Sequence, residues 1–280
     1  MNYTEKLRRA VQSANSTLCV GLDPVPENIP TPLRQEYSND ADLIFEFCRR
    51  VVESTKIHAC AYKPNVAFFE AMGAPGWEAF EKLLDFIPSN RVVIADAKRG
   101  DIGNTARMYK TTYFERYQTD AITLNPLMGL DTLDPFLEDE SKAIYALALT
   151  SNSGSADFFQ RRFQGRMSLS EYIAEELSKK QDVSRAHIGM VVGATQVDSI
   201  SPVIRAFPAA SLLIPGIGAQ GGSIEKLSVI LENHIGIPII NSSRGIIYAG
   251  GDEENWAEFV SQKASELKES LKAITLRYVE

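Results

Sequence analysis

From Thr17 onward the chain alternates short apolar runs with longer stretches whose apolar residues recur at helical spacing. The runs occupy residues 18–22, 59–62, 92–95, 121–124, 144–149, 188–192, 212–214 and 238–240. Nearly continuous apolar character over so few residues suits strands buried on both faces, the condition of a parallel sheet covered by helices. Between them, Leu43, Phe47 and Val51 form one stripe behind an Asn39-Asp40 cap signal, with Glu46, Arg49 and Arg50 off it. Ser168-Leu169-Ser170-Glu171 reads as a capping box opening a helix that continues through Tyr172, Ile173 and Leu177. A last helix from about Glu253 carries Trp256, Phe259 and Val260 and leads into a charged C-terminal tail. Repeated β-α units of this number in 280 residues predict an α/β fold, a TIM (β/α)8 barrel forming one domain over 1–280; an open doubly wound sheet is the alternative. Two connections are long: 24–30, rich in proline, and 151–166, rich in Ser, Gly, Phe and Arg, read as a lid or an insertion.

The pattern breaks most sharply at Val92-Val93-Ile94-Ala95-Asp96-Ala97-Lys98-Arg99-Gly100-Asp101, where an apolar run gives way to acid, lysine and acid. Alternation along a strand puts Asp96 and Lys98 on one face, with Asp101 in the loop beyond a glycine. A structural ion pair on an edge strand would also give this pattern. A lysine following a run buried on both faces, however, needs carboxylate partners to stay charged, and such groupings mark catalytic sites.

Other strand ends are polar too. Asp23 follows the first run, Lys63 and Asn65 the second, Asn125 the fourth, and Thr150, Ser151 and Asn152 the fifth. One such end makes a turn or a cap; many of them around the C-terminal rim of a barrel describe a site. After the last two runs come Pro215-Gly216-Ile217-Gly218-Ala219-Gln220-Gly221-Gly222-Ser223 and Asn241-Ser242-Ser243-Arg244-Gly245. Exposed backbone N–H groups and a guanidinium there suit a phosphate, and these are the loops where barrels commonly bind one.

Composition narrows the partners. A net charge of −7 and a pI near 5.2 argue against nucleic acid or an anionic membrane, while leaving room for one phosphate on a metabolite. Cys19, Cys48 and Cys60 lie in or beside apolar runs without metal spacing, which predicts reduced, packed thiols and a cytoplasmic setting. No run reaches membrane-spanning length, and the first residues lack a signal-peptide core. His58, His187 and His234 form no metal-ligand motif, so neutral surface or capping roles are expected and no metal site is assigned.

Asp96-Ala97-Lys98-Arg99-Gly100-Asp101-Ile102-Gly103-Asn104-Thr105 resembles the DxKxxDIxxT signature of the orotidine 5'-phosphate decarboxylase family. The resemblance continues through Leu22-Asp23-Pro24, Tyr62-Lys63-Pro64-Asn65, Leu149-Thr150-Ser151, Pro215-Gly216-Ile217 and Ser243-Arg244-Gly245, and the Lys-Arg-Gly-Asp form is similar to the longer, type 2 branch. It implies conversion of orotidine 5'-monophosphate to UMP and CO2 in de novo pyrimidine synthesis, with no metal or organic cofactor. By the same resemblance Lys98 would donate the proton, Asp96 would sit beside the substrate carboxylate, and Asp101 would complete the charged array of a partner subunit in a homodimer with shared sites. Thr105 would also reach the partner. Asp23 and Lys63 would contact the ribose, Thr150 and Ser151 the pyrimidine, and Gln220 and Arg244 the phosphate, with Ile102, Pro215 and Ser243 completing the substrate-binding set. Many members carry arginine directly after Pro-Gly-Ile; Gly218 stands here, so part of the phosphate grip falls to Gln220, backbone amides or another group.

The chemistry explains the residue types. Loss of CO2 from C6 leaves an electron pair that the ring cannot delocalise, and a preorganised ammonium answers it and then delivers a proton. A metal-assisted sugar-phosphate decarboxylase or aldolase sharing DxKxxD, a Schiff-base aldolase, and a barrel that only binds nucleotides are the competing readings.

Overall fold

The computed structural model describes the chain apart from residues 164, 194–196, 218–222 and 280. Its strands, in chain order, are β1 (Leu18–Leu22), β2 (Ala61–Pro64), β3 (Val92–Arg99), β4 (Ala121–Leu124), β5 (Ala143–Leu149), β6 (Arg162–Phe163), β7 (Met167–Ser168), β8 (His187–Val192), β9 (Leu212–Pro215) and β10 (Pro238–Ser242). Eight of them close a barrel in the order β1-β10-β9-β8-β5-β4-β3-β2, and β6 and β7 form a separate antiparallel hairpin. The closed parallel barrel is the predicted TIM fold, and the open-sheet alternative falls away.

Several strands outrun their apolar cores. β2 includes Lys63, β3 continues through Asp96 and Lys98 to Arg99, and β10 takes in Asn241 and Ser242. Hydrophobicity marks where a strand is surrounded by greasy neighbours, whereas the backbone ladder runs on beyond that point. The polar residues therefore sit on strand backbone, which fixes them more tightly than a loop would.

Two compact units can be distinguished, residues 7–97 with 241–280 and residues 1–6 with 98–240. In the first, the helix Asp40–Thr55 is capped by the Asn39 side chain, which accepts the Asp42 N–H, and it buries Leu43, Phe47 and Val51 as predicted. Phe47 packs on Trp256 at 5.3 Å and stacks on Tyr248 at 5.6 Å between ring centroids. Its burial contributes roughly 1.5–3 kcal/mol. The charged C-terminal tail is, against expectation, largely a helix, Lys272–Val279. Leu271, Ile274 and Tyr278 recur at helical spacing and are buried, and Thr275 Oγ1 accepts the Thr17 N–H at 3.2 Å. The loop 24–30 also carries a short 3-10 turn, Pro26–Asn28. All three cysteines are buried free thiols.

In the second unit the predicted capping box is present: Ser168 Oγ accepts the Glu171 N–H, and Glu171 Oε2 accepts the Ser168 N–H at 2.8 Å. Segment 151–166 carries a 3-10 turn Ser153–Asp157 and β6, which pairs with β7 just beyond it. The Ser170 and Leu169 N–H groups tie it to the helix Leu169–Gln181 by donating to the Phe159 and Arg161 carbonyls. Tyr3, fully buried, meets the Tyr145 hydroxyl at 2.8 Å and stacks on His187 at 5.8 Å. His187 Nε2 accepts the Ser211 N–H at 3.1 Å, which leaves the ring proton on Nδ1, 3.4 Å from Thr4 Oγ1. Burial pushes His187 down to about 4. His234 is buried and bonds the Ala210 carbonyl at 2.8 Å, while His187 is half-buried, so neither is the exposed histidine that was expected.

Candidate active site

In the unit of residues 7–97 and 241–280, three charged groups at or just past the ends of three strands are brought together. Lys63 of β2 and Asp96 of β3 are 5% and 8% exposed, and Lys63 Nζ lies 2.5 Å from Asp96 Oδ2. Burial by itself would lower the lysine, but the Asp96 and then the Asp23 carboxylate reverse the effect and hold it well above the ordinary lysine value. Lys63 is therefore a permanent ammonium at neutral pH. Asp23 follows directly on β1, with a buried Oδ1 that has no hydrogen-bond partner. The Tyr248 hydroxyl fixes the backbone there, donating to the Asp23 carbonyl at 2.9 Å and accepting the Val25 N–H at 2.7 Å.

Beside β1 stands the end of β10. A side chain at Gly21 would come within 2.8 Å of Ser243 Cβ and 3.1 Å of Asn241 Oδ1, so only glycine lets the two strand ends approach. Asn241 Oδ1 and Ser243 Oγ are, like Asp23 Oδ1, buried without a partner. Unsatisfied buried polar atoms are costly, and a cluster of them suits a hydroxyl-rich ligand. Arg244 is exposed, next to Ser243.

The unit of residues 1–6 and 98–240 supplies a second set. Lys98 has φ +48°, a left-handed conformation rare for a residue with a side chain, and its N–H donates to Thr123 Oγ1 at 2.9 Å. Asp96 is buried and Lys98, two residues further along β3, is exposed. Asp101 accepts the Ile102 N–H at 2.8 Å, and Ile102 and Thr105 are exposed around the start of the helix Gly103–Lys110. Thr150 and Ser151, half-buried, leave the end of β5, where the pairing with β8 shifts register between Leu147 and Leu149. A bulge of this kind re-aims the residues that follow it. Gly193 makes the arrangement possible, because a Cβ there would lie 2.6 Å from the Ser151 backbone. Pro215 ends β9, half-buried; Gln220 lies outside the described residues.

Sequence reading did not single out Thr123, Gly21, Gly193 or Tyr248. Thr123 sat inside an apolar run and looked like strand filler. The two glycines offered no pattern, since a close backbone approach leaves no trace in composition.

A family model described as "Orotidine 5'-phosphate decarboxylase / HUMPS family" matches residues 16–259. The chain is 42% identical over 274 residues to an orotidine 5'-phosphate decarboxylase of Phocaeicola vulgatus, covering 96% of this chain and 98% of that one. It is 37% identical to another from Dehalococcoides mccartyi, over 99% of this chain and all of that protein. Among solved structures, Leishmania donovani OMP decarboxylase superposes with a TM-score of 0.82 at 35% identity, covering 99% of both chains. With the closed barrel and the charged strand ends already in place, the chain belongs to the orotidine 5'-phosphate decarboxylase / HUMPS family.

Proposed function

We infer that this chain decarboxylates orotidine 5'-monophosphate to UMP and CO2 in pyrimidine biosynthesis, as a single-domain barrel over residues 1–280, without a metal or organic cofactor. The observation that carries the reading is the buried Lys63–Asp96 pair with Asp23 at its side, followed two residues along β3 by Lys98. Carboxylates near a lysine favour its ammonium form, the form that a proton donor needs. Lys98 fills that role. As the C6–carboxylate bond breaks and CO2 departs, the electron pair left at C6 is stabilised by the Lys98 ammonium and takes its proton.

Asp23 and Lys63 bind the ribose hydroxyls, which the unsatisfied Oδ1 of Asp23 supports. Thr150 and Ser151 address the pyrimidine, and Pro215, Gln220, Ser243 and Arg244 hold the phosphate end. Phosphate and ribose contacts remote from C6 supply binding energy that is realised at the reacting centre. Asp101, Ile102 and Thr105 serve the site of a partner in a homodimer. Ile102, Met108, Leu127 and Met128, each at least half exposed, support such an apolar contact. No described helix is long and apolar enough to cross a membrane, and the three buried free thiols support a cytoplasmic setting.

The test is direct: incubate the purified protein with orotidine 5'-monophosphate and EDTA and follow the loss of orotate absorbance with release of CO2. EDTA-resistant turnover is expected. Dependence on an added divalent cation would favour the metal-assisted sugar-phosphate chemistry, and UMP binding without turnover would leave only a nucleotide-binding barrel.

A further inference from the structure

We propose that Thr123 is a positioning residue for the Lys98 ammonium, its buried hydroxyl clamping the Lys98 peptide in the left-handed turn near the end of β3. The proposal rests on the reading of Lys98 as the proton donor.

Residues with a side chain hold φ near +50° only where their surroundings over-determine it, and such strain collects at functional sites. Lys98, at φ +48°, is held from β4 at 98, 99 and 100 in turn. The Lys98 N–H donates to Thr123 Oγ1 at 2.9 Å; the Arg99 carbonyl accepts the Asn125 N–H at 2.8 Å; and Gly100 passes so close that a Cβ would lie 2.8 Å from the Asn125 carbonyl oxygen. The last two contacts are made by backbone and survive most substitutions. Thr123 is the one side chain in the set, it is 1% exposed, and no water can readily replace its oxygen.

The consequence lies at the far end of the lysine. A tilt of the Cα–Cβ bond is magnified along four methylenes before it reaches Nζ, and a displacement of about 1 Å at a reacting group costs on the order of a hundredfold in rate. Thr123 thus sets where the proton donor stands, without contacting substrate. Binding of the nucleotide, which depends on other residues, is untouched by this role.

The experiment compares Thr123→Val, which keeps the shape and removes the acceptor, with Thr123→Ser, which keeps the hydroxyl. Thr123→Val is expected to lose about 10- to 100-fold in kcat with KM and UMP affinity within about threefold of the parent, and Thr123→Ser to retain kcat within about threefold. Unchanged kcat in the valine variant, an equal loss in the serine variant, or a joint decline of kcat and UMP affinity would each overturn the proposal. If the valine variant does not fold, amide hydrogen exchange of the parent decides: a protected Lys98 N–H supports the clamp and a freely exchanging one refutes it. Lys98→Ala measured alongside separates the two readings. Turnover surviving in that variant removes the mechanism itself, whereas an inactive Lys98→Ala beside a fully active Thr123→Val removes only the role of Thr123.

Discussion

Lys63 and Asp96 meet at 2.5 Å across neighbouring strands, both less than a tenth exposed. Separated by thirty-three positions in sequence, they are joined because β2 and β3 pair in parallel and both continue past their apolar runs into polar residues.

Removing one member deprives the other of a buried counter-charge. Lys63→Met leaves the Asp96 carboxylate without its nearest counter-charge, and a loss of about 3–5 kcal/mol in urea unfolding is expected. The double variant Lys63→Met with Asp96→Leu should recover a large part of that stability while remaining inactive. Because the folded lysine is raised above its unfolded value, its contribution is complete below the unfolded value and fades only as pH rises beyond it. The stability difference between parent and Lys63→Met should therefore be flat across neutral pH; a steep slope there would contradict the pairing.

Lys98 combines the proposed role of proton donor with a left-handed backbone. Lys98→Ala should still fold and bind UMP while its turnover falls at least ~4 orders of magnitude, about 5 kcal/mol in the barrier. At φ +48°, glycine is better suited than alanine, so Lys98→Gly should be more stable than Lys98→Ala by roughly 1 kcal/mol, although equally inactive. Equal unfolding midpoints would count against the left-handed turn.

Sharing across a dimer can be tested by complementation. When inactive Lys98→Ala and Asp101→Ala proteins are mixed and allowed to exchange subunits, hybrid dimers have one site with both groups intact. Recovery of up to roughly a quarter of parental activity is expected from a statistical mixture. Verified hybrids without activity would show that Asp101 acts in its own subunit.

Acid sensitivity should trace in part to His187. Its folded value is depressed to about 4 against 6.5 unfolded, so the folded state binds fewer protons between those limits and stability is lost as pH falls through that window. The loss amounts to about 3 kcal/mol at most. A proton on Nε2 would face the Ser211 N–H that this nitrogen now accepts. His187→Gln should flatten urea midpoints between pH 6.5 and 4 relative to the parent; an unchanged slope would assign the acid response to carboxylates instead.

Much of the fold was legible because each barrel strand carries an apolar segment, and β1 and β4 were predicted to the residue. The ends of β2 and β10 were not, since Lys63 and Asn241 fall beyond the apolar runs, yet are buried on strand backbone. The C-terminal helix was hidden by its charges, Lys272 and Arg277, which occupy one side of a helix whose other side is buried. Candidate chemistry was legible wherever it resided in side chains with unusual charge. It was not legible in Gly21, Gly193 or Thr123, whose contributions are an absent Cβ or a hydroxyl aimed at a backbone N–H.

Tyr3 bonds Tyr145 across 142 positions, and Thr4 reaches His187 across 183. During synthesis the partners of these first residues emerge from the ribosome long after the residues themselves. This segment must therefore wait, with its tyrosine unpacked, until Tyr145 and His187 have been made. Contacts so distant along the chain slow folding and leave apolar surface uncovered in the meantime. A chain ending before His187 would lack the seat for its own first turn.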